Sequence, residues 1–198
     1  MTSHSDFGEI APEGWPVLAA AGIITILLAF IALPLGGFAL GLMLWLRHIL
    51  RIPVRRVPVD GDVVVAPADG VVTSIERQQQ TEDRHMQDGL PPMARITIRT
   101  GLTDAQLQRA PVTGRVRDNF LIPGLFLGAA DEVTARRDNE RREITLETDA
   151  GEAVMMVQIA TRTARQLICR HGPGRALAAG ASLGMARMGG LTDLFVPA

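Results

Sequence analysis

The feature that most constrains this chain is an uncharged run of 33 residues, from Gly14 to Leu46. A run of that length without a formal charge is too apolar for a water-exposed surface and long enough to enter a bilayer. Tryptophan lies near both ends, as Trp15 and Trp45, where its amphipathic ring suits a membrane–water interface. We therefore predict an apolar helical membrane anchor over residues 14–46.

A break inside this run leaves its path through the membrane open. Pro34 begins the interruption Pro34-Leu35-Gly36-Gly37, after a first arm that is long enough for one span and before a shorter second arm. A single span with an interfacial turn and a re-entrant hairpin are both allowed. The preceding residues, 1–13, contain acidic residues and no Lys or Arg, unlike a secretory signal peptide, so we expect an uncleaved N-terminal tail.

Basic residues follow the apolar run directly. By the positive-inside rule such a cluster stays in the cytoplasm, and it also attracts anionic headgroups; a solvated linker is the alternative. We predict a basic linker over residues 47–58 and a soluble domain on the cytoplasmic side. The cluster comprises Arg47, His48, Arg51, Arg55 and Arg56.

Residues 59–198 carry short apolar runs of period two or of β-branched residues, separated by Gly and Pro. This pattern predicts a mainly β (α+β) fold, with many short strands in one compact domain. Asp149-Ala150-Gly151 is a predicted hairpin turn, and the polar residues 77–92 a mobile loop. The runs are Val63–Val65, Val71–Ile75, Ala94–Arg99, Glu143–Glu147 and Val154–Ile159.

Composition excludes several classes of function. The formal net charge is −1, which gives no field that attracts nucleic acid. All 20 basic residues are arginine, so the chain offers no lysine for a Schiff base, a lipoyl group or a biotinyl group. The four histidines are scattered, and we expect no metal site. The single cysteine, Cys169, lies in an apolar run typical of a buried structural thiol.

Five stretches, in order, resemble the short, membrane-bound bacterial type of the phosphatidylserine decarboxylase family. Together they extend over residues 47–198 with the family's spacing. The stretches are Arg51-Ile52-Pro53 with Arg55 and Pro58; Ala66-Pro67-Ala68-Asp69-Gly70; Gln108 to Gly114; Asn139-Glu140-Arg141; and Gly180 to Pro197.

The resemblance implies a lyase of the bacterial inner membrane that converts phosphatidylserine to phosphatidylethanolamine. In this family the electron sink is a pyruvoyl group, made when the proenzyme cuts itself at a Gly-Ser bond near its C-terminus. The serine becomes the new N-terminal carbonyl, and an Asp, a His and that Ser act as a triad.

Two of these three residues are replaced here. The family's aspartate is retained as Asp69, its histidine position holds Gln106, and its Gly-Ser bond falls on Gly189 and Gly190. Glutamine cannot exchange a proton near neutral pH, and glycine has no side-chain oxygen for the acyl shift. Thr192 and Ser182 carry hydroxyls nearby, but either would displace the carbonyl from its position in the family.

Three further motifs have two interpretations each. Arg109 and Arg141 are candidates for binding phosphate or carboxylate, because guanidinium binds such groups bidentately. Asn139-Glu140-Arg141 is interpreted as an ion-paired structural turn in preference to a ligand contact. Asp69-Gly70, between two valine-rich runs, is either the retained triad aspartate or a common turn.

These observations leave two functional hypotheses. The first is a degenerate homologue that has no pyruvoyl cofactor and binds aminophospholipid, forms a homo-oligomer or partners another lipid enzyme. The second is an active decarboxylase that processes at an unusual residue or within a complex. A lipoyl- or biotinyl-carrier domain, suggested by Ala66 to Val72, is excluded because the chain has no lysine.

Overall fold

The computed structural model describes residues 9–10, 12–53, 55–58, 63–78 and 93–197. The chain divides into two compact units, Met1–Arg55 and Arg56–Ala198. The predicted loop over residues 77–92 lies outside the described residues except for its first two positions, which end a strand.

The first unit is a pair of helices closed by a short ribbon. Strand β1 (Glu9–Ile10) pairs with β2 (Arg51–Ile52), and a 3-10 turn (Pro12–Gly14) leads into the helices. Helix α1 (Trp15–Ile31) and helix α2 (Leu33–Ile49) are separated by the extended residue Ala32. Pro34 lies in the first turn of α2, where its missing N–H costs no helical hydrogen bond.

Gly36 explains how closely the two helices approach. A Cβ at this position would lie 2.5 Å from the Cβ of Ala29, so any larger residue would push α2 away from α1. Large apolar side chains on both helices remain exposed, among them Phe30 at 87% and Phe38 at 78%. Each helix has 17 residues, and neither these nor any other helix in the described residues is long and apolar enough to cross a membrane.

The second unit is built almost entirely of strands, as the sequence predicts. One short helix, α3 (Glu132–Asp138), begins at Asp131, whose side chain accepts a hydrogen bond from the Thr134 N–H. The strands are β3 (Val71–Gln78), β4 (Met93–Thr100), β5 (Leu107–Arg109), β6 (Gly114–Ile122), β7 (Arg141–Glu147), β8 (Ala153–Ile159), β9 (Gln166–Cys169), β10 (Ala176–Leu177), β11 (Ser182–Arg187) and β12 (Gly190–Pro197).

These strands form two antiparallel sheets. The larger sheet has seven strands in the order β10-β6-β7-β8-β12-β4-β3, and the smaller has the order β5-β11-β9, counting the described residues. The main core cluster combines residues of both sheets, such as Met156 of β8 and Leu183 of β11. The opposite face of the large sheet packs on α3 through Ala135. Because β8 is covered on both faces, its sequence Val154-Met155-Met156-Val157 is apolar without alternation.

The structure confirms most of the predicted strands and corrects one. The runs from Val71, Ala94, Glu143 and Val154 all form strands, and the turn Asp149-Ala150-Gly151 joins β7 to β8 with Gly151 at φ +82°. Val63–Val65 is not a strand, although the Val65 N–H donates to the Pro111 carbonyl at 2.8 Å. A single bond of this kind does not build a ladder.

Candidate functional site

One row of paired residues crosses the large sheet and defines the end at which the candidate residues meet. We call this the site end. The row joins the end of β6, the start of β7, the end of β8, the start of β12, the end of β4 and the start of β3. Its members are Ile122, Arg141, Ile159, Leu191, Arg99 and Val71.

The turn between β11 and β12 occupies this end and contains Gly189 and Gly190, the predicted positions of the family's processing bond. Met188, Gly189 and Gly190 have φ values of +69°, +91° and +125°. Only glycine adopts such conformations freely, and Met188 in the left-handed region is a strained position. A Cβ on Gly189 would lie 2.8 Å from the Thr100 carbonyl oxygen, so the backbone packs too closely there for any side chain.

Gln106, which is predicted to occupy the family's histidine position, contacts that turn directly. Its side chain is buried, and its Oε1 accepts a hydrogen bond from the Gly189 N–H at 2.6 Å. Its Nε2 donates to the carbonyls of Gly101, at 3.0 Å, and Asp104, at 2.7 Å. All three contacts use the amide as a neutral donor and acceptor, so Gln106 holds the turn but has no proton to exchange.

The backbone of Asp69 is linked to the 188–190 turn through Thr100. The Thr100 hydroxyl donates to the Asp69 backbone carbonyl at 2.8 Å, and Thr100 is the strand partner of Gly190. Gly70 follows at φ +150° and packs against the backbone of Arg99, so the Asp69-Gly70 pair is also a structural turn. The structure therefore brings Asp69, Gln106 and Gly190 to one end of the domain.

A buried polar network continues from this site between the two sheets. Gln108 donates through Nε2 to the Thr192 hydroxyl at 2.8 Å, and Gln158 donates through Nε2 to Gln108 Oε1. All three side chains are at most 2% exposed. This network was not predicted from the sequence; its only signal was the spacing of two residues between Gln106, which directly precedes β5, and Gln108 in β5.

The two alternative hydroxyls lie within strands instead of the turn. Thr192 is in β12, paired with Ile98, and its oxygen accepts the Gln108 amide bond. Ser182 begins β11 opposite Arg109, with its hydroxyl 3.3 Å from Arg170 Nη1. Neither backbone position has the left-handed conformation of residues 188–190.

The two candidate anion-binding arginines are held apart on different sheets. Arg109 is in β5, its N–H donates to the Pro67 carbonyl at 2.8 Å, and its Nη1 donates to the Gly180 carbonyl at 2.9 Å. Arg141 begins β7 and pairs with Glu143 at 3.0 Å. Of the two arginines, Arg109 therefore lies beside the motif Ala66-Pro67-Ala68-Asp69-Gly70.

Asn139 of the Asn139-Glu140-Arg141 motif has a structural role. Its Oδ1 accepts from the Leu127 N–H at 2.8 Å, and its Nδ2 donates to the carbonyls of Leu127 and Ala160. The side chain is fully buried, and its hydrogen bonds join the 123–131 connection to the residue that follows β8. This agrees with the interpretation of the motif as a turn.

A charged cluster lies on the α3 face of the large sheet, two residues along β12 and β4 from the row that defines the site end. Asp193 is buried in β12 and accepts hydrogen bonds from Thr97 at 2.7 Å and Arg136 at 2.8 Å. Arg136 also pairs with Glu132, which pairs with Arg99 at 2.7 Å. Burial would lower the pKa of Arg136, but the carboxylate of Asp193 raises it above its ordinary value.

The pKa of Glu132 is shifted in the opposite direction to that of Arg136. Burial alone would raise its pKa, but hydrogen bonds from Arg99 and Thr73 and the charge of Arg136 together lower it below 4.5. Cys169, by contrast, is a half-buried thiol on β9 whose pKa is raised by burial. A thiol with a raised pKa is a poor nucleophile, in line with a structural role.

The comparisons with known proteins all indicate the same family. A family model described as phosphatidylserine decarboxylase matches residues 42–198. A phosphatidylserine decarboxylase proenzyme from Beijerinckia indica subsp. indica is 36% identical over 188 residues, which cover 95% of this chain and 79% of that protein. A protein of the same name from Geotalea uraniireducens is 36% identical over 189 residues, covering 95% of this chain and 85% of its own.

Proposed function

This chain belongs to the phosphatidylserine decarboxylase family, and we propose that it is a membrane-attached member that does not cut itself. It acts by binding an aminophospholipid or by partnering another membrane enzyme of phospholipid metabolism. The observation that carries the proposal is the contact between Gln106 and Gly189. The position that holds a base in the family here holds an amide, whose hydrogen bonds keep the uncut turn in place.

The residues of the turn do not fit a pyruvoyl group. Such a group forms from a residue with a side-chain oxygen on Cβ, and Gly190 has neither atom. A Cβ added to Gly190 would lie 3.2 Å from the Ile159 carbonyl oxygen and 3.3 Å from the Ala164 Cβ, so the backbone is packed around glycine. We therefore assign no reaction step to that group in this chain.

Attachment to the bilayer is assigned to the pair α1 and α2. Their exposed apolar side chains suit a lipid environment, and an apolar groove of about 600 Å³ lies between the two helices, which suits acyl chains. Arg47 and His48, in the last turn of α2, suit a cytoplasmic, anionic interface. These features support the proposal that the protein lies at the inner membrane of a bacterium, with the β domain on the cytoplasmic side.

Headgroup recognition is assigned to the neighbourhood of Asp69 and Arg109. Arg109 is three residues from Gln106, and its backbone N–H bonds to Pro67, two residues before Asp69. An arginine beside a carboxylate matches the phosphate and amine of an aminophospholipid. Arg141 is the weaker candidate, because Glu143 already neutralises its charge.

The test is the covalent state of the purified protein, measured together with its activity. The proposal expects one chain of about 21.3 kDa that reacts with neither hydrazine nor borohydride and releases no carbon dioxide from phosphatidylserine. It also expects binding to phosphatidylserine vesicles above the level on phosphatidylcholine vesicles. Release of carbon dioxide with a carbonyl-bearing C-terminal peptide would establish the alternative, an active decarboxylase with unusual processing.

A further inference from the structure

The site end of the β domain exposes an unusual number of large apolar side chains. These side chains lie on the first residues of β3, on the connection after β4, and on the last residues of β6 with the connection that follows. Each is at least 43% exposed. They are Val71, Val72, Leu102, Phe120, Leu121 and Leu125. They form two groups, one around β6 and one around β3 and β4, because five strand spacings, about 24 Å, separate β6 from β3. The group Phe120, Leu121 and Leu125 is the candidate interaction surface.

Two arginines border this surface without a carboxylate partner among the described residues. Arg162 and Arg165 are exposed on the 160–165 turn that follows β8. The Arg162 N–H donates to the Leu127 carbonyl at 3.2 Å, and the Arg165 guanidinium lies 5.4 Å above the Phe126 ring. The turn thus packs against the connection that carries Leu125, and its two charges remain available to a ligand.

Both ends of the domain carry charges of both signs, and the end opposite the site exposes Arg115 and Arg175. Six carboxylates of the described residues lie near the site end. Glu132 and Asp138 pair with arginines, Asp104 and Asp131 accept backbone N–H bonds, and Asp69 and Glu140 lie beside Thr100 and Arg141. The opposite end exposes Glu147, Asp149 and Glu152 around the β7–β8 turn. Arg162 and Arg165 therefore place two exposed positive charges beside the apolar side chains that follow β6.

The same turn also contacts the candidate site. Ala164, between the two arginines, is buried, and its Cβ is the side-chain atom nearest to where a Cβ on Gly190 would lie. The turn consequently has its inner side on the 188–190 turn and its outer side on the solvent. A ligand bound by Arg162 and Arg165 would lie directly outside the site.

We propose that the site end is the face through which the β domain contacts an anionic phospholipid bilayer. Leu125 and its apolar neighbours enter the interface, and Arg162 and Arg165 bind lipid phosphates, since guanidinium pairs bidentately with phosphate. Apolar side chains bordered by basic ones are the composition that lies in a membrane interface. The surface is distinct from α1 and α2, and it rests on the proposed function only in taking phospholipid as the ligand.

The test places an environment-sensitive fluorophore on the full chain. Leu125→Cys is labelled in a Cys169→Ala background, and the matched control is Ala150→Cys, in the β7–β8 turn at the opposite end. The protein is added to vesicles of phosphatidylcholine with phosphatidylglycerol, an anionic lipid without an amine. The proposal expects a blue shift and severalfold quenching by lipid-borne nitroxide at position 125, with neither effect at position 150.

Charge reversal then separates this surface from the helical pair. Arg162→Glu with Arg165→Glu should expose the 125 label to aqueous iodide while the protein still floats with the vesicles. The control pair, Arg115→Glu with Arg175→Glu, makes the same change in net charge near the opposite end of β6, about 20 Å away, and should leave the label protected.

Three results would overturn the proposal. The first is a label at position 125 that stays accessible to iodide on vesicle-bound protein, and the second is protection that survives the Arg162 and Arg165 reversal. The third is a blue shift that grows with protein concentration without vesicles, which would make the face a contact between two copies. Flotation measures attachment through α1 and α2. The attachment proposal and the proposal for the site end can therefore be refuted independently.

Discussion

The side-chain oxygen of Gln106 accepts a hydrogen bond from the backbone N–H of Gly189, 83 residues further along the chain, at 2.6 Å. Through a neutral amide, this bond joins the two positions that are predicted to match the family's base and its processing bond. It also satisfies a buried N–H in a turn whose three residues all have positive φ. Gln106 is therefore a positioning residue for the turn between β11 and β12.

Gln106→Ala should loosen the 188–190 turn. It removes three hydrogen bonds and leaves the Gly189 N–H without its partner, so the free energy of unfolding should fall by about 1–3 kcal/mol. Denaturant unfolding measures that loss, and amide exchange at Gly189 should accelerate. Glu147→Ala, at an exposed side chain of β7 at the opposite end of the domain, is the control and should change neither value. Unchanged exchange at Gly189 would contradict the positioning role.

Restoring both missing groups should restore self-cleavage. Gly190→Ser supplies the oxygen and Gln106→His supplies the base, with Asp69 already at the same end of the domain. Groups that act as one unit are strongly non-additive, so only the double variant should separate residues 1–189 from 190–198 over hours at neutral pH. Gel electrophoresis and mass analysis of both fragments are the measurement. Cleavage of the unmodified chain at this bond would show that a base and hydroxyl are dispensable.

Arg136→Met should be the most destabilising single change in the α3 face. Asp193 is 3% exposed, and loss of its guanidinium partner leaves a buried carboxylate, which typically costs about 3–5 kcal/mol. Arg137→Ala, the next residue on the same helix, faces solvent and should alter stability little. Equal losses in the two variants, measured by chemical unfolding, would mean that the Arg136–Asp193 pair does not anchor α3.

Stability should fall in acid through Glu132. Its pKa is lowered in the folded domain, so its contribution is present above the unfolded value of 4.5 and is lost as pH falls through the folded pKa. Glu132→Gln should be less stable than the unmodified chain at neutral pH and should lose less stability below pH 4.5. Unfolding curves at several pH values measure both slopes. Parallel slopes would exclude Glu132 as the source.

Charges on the helical pair should release the protein from membranes. The unmodified chain should resist high salt and carbonate, because apolar burial is not screened by ions. Phe30→Arg with Phe38→Arg places two charges on side chains that are 87% and 78% exposed and should move the protein to the soluble fraction. Val133→Arg, an exposed apolar residue of α3, is the control and should remain sedimented. Carbonate extraction of the unmodified chain would remove the attachment proposal.

The sequence by itself determined the local features of this protein. Periodicity and β-branched runs predicted β3, β4, β7 and β8, and Asp149-Ala150-Gly151 predicted its turn, because these signals depend on neighbouring residues. The motifs also indicated the family, and they predict that Gln106 and Gly190 replace its base and nucleophile. These conclusions need residue identity and spacing alone.

Only the tertiary structure decided which of those residues act together. Val63–Val65 has strand-like residues, but strand formation requires a paired ladder, which the described chain does not provide there. Strand registers, set by long-range pairing, bring Asp69, Gln106 and Gly190 to one end of the domain. Arg141 forms an ion pair with Glu143 instead of binding a ligand. The same registers place Arg162 and Arg165 outside Gly190, since a loop's position follows from the strands it joins.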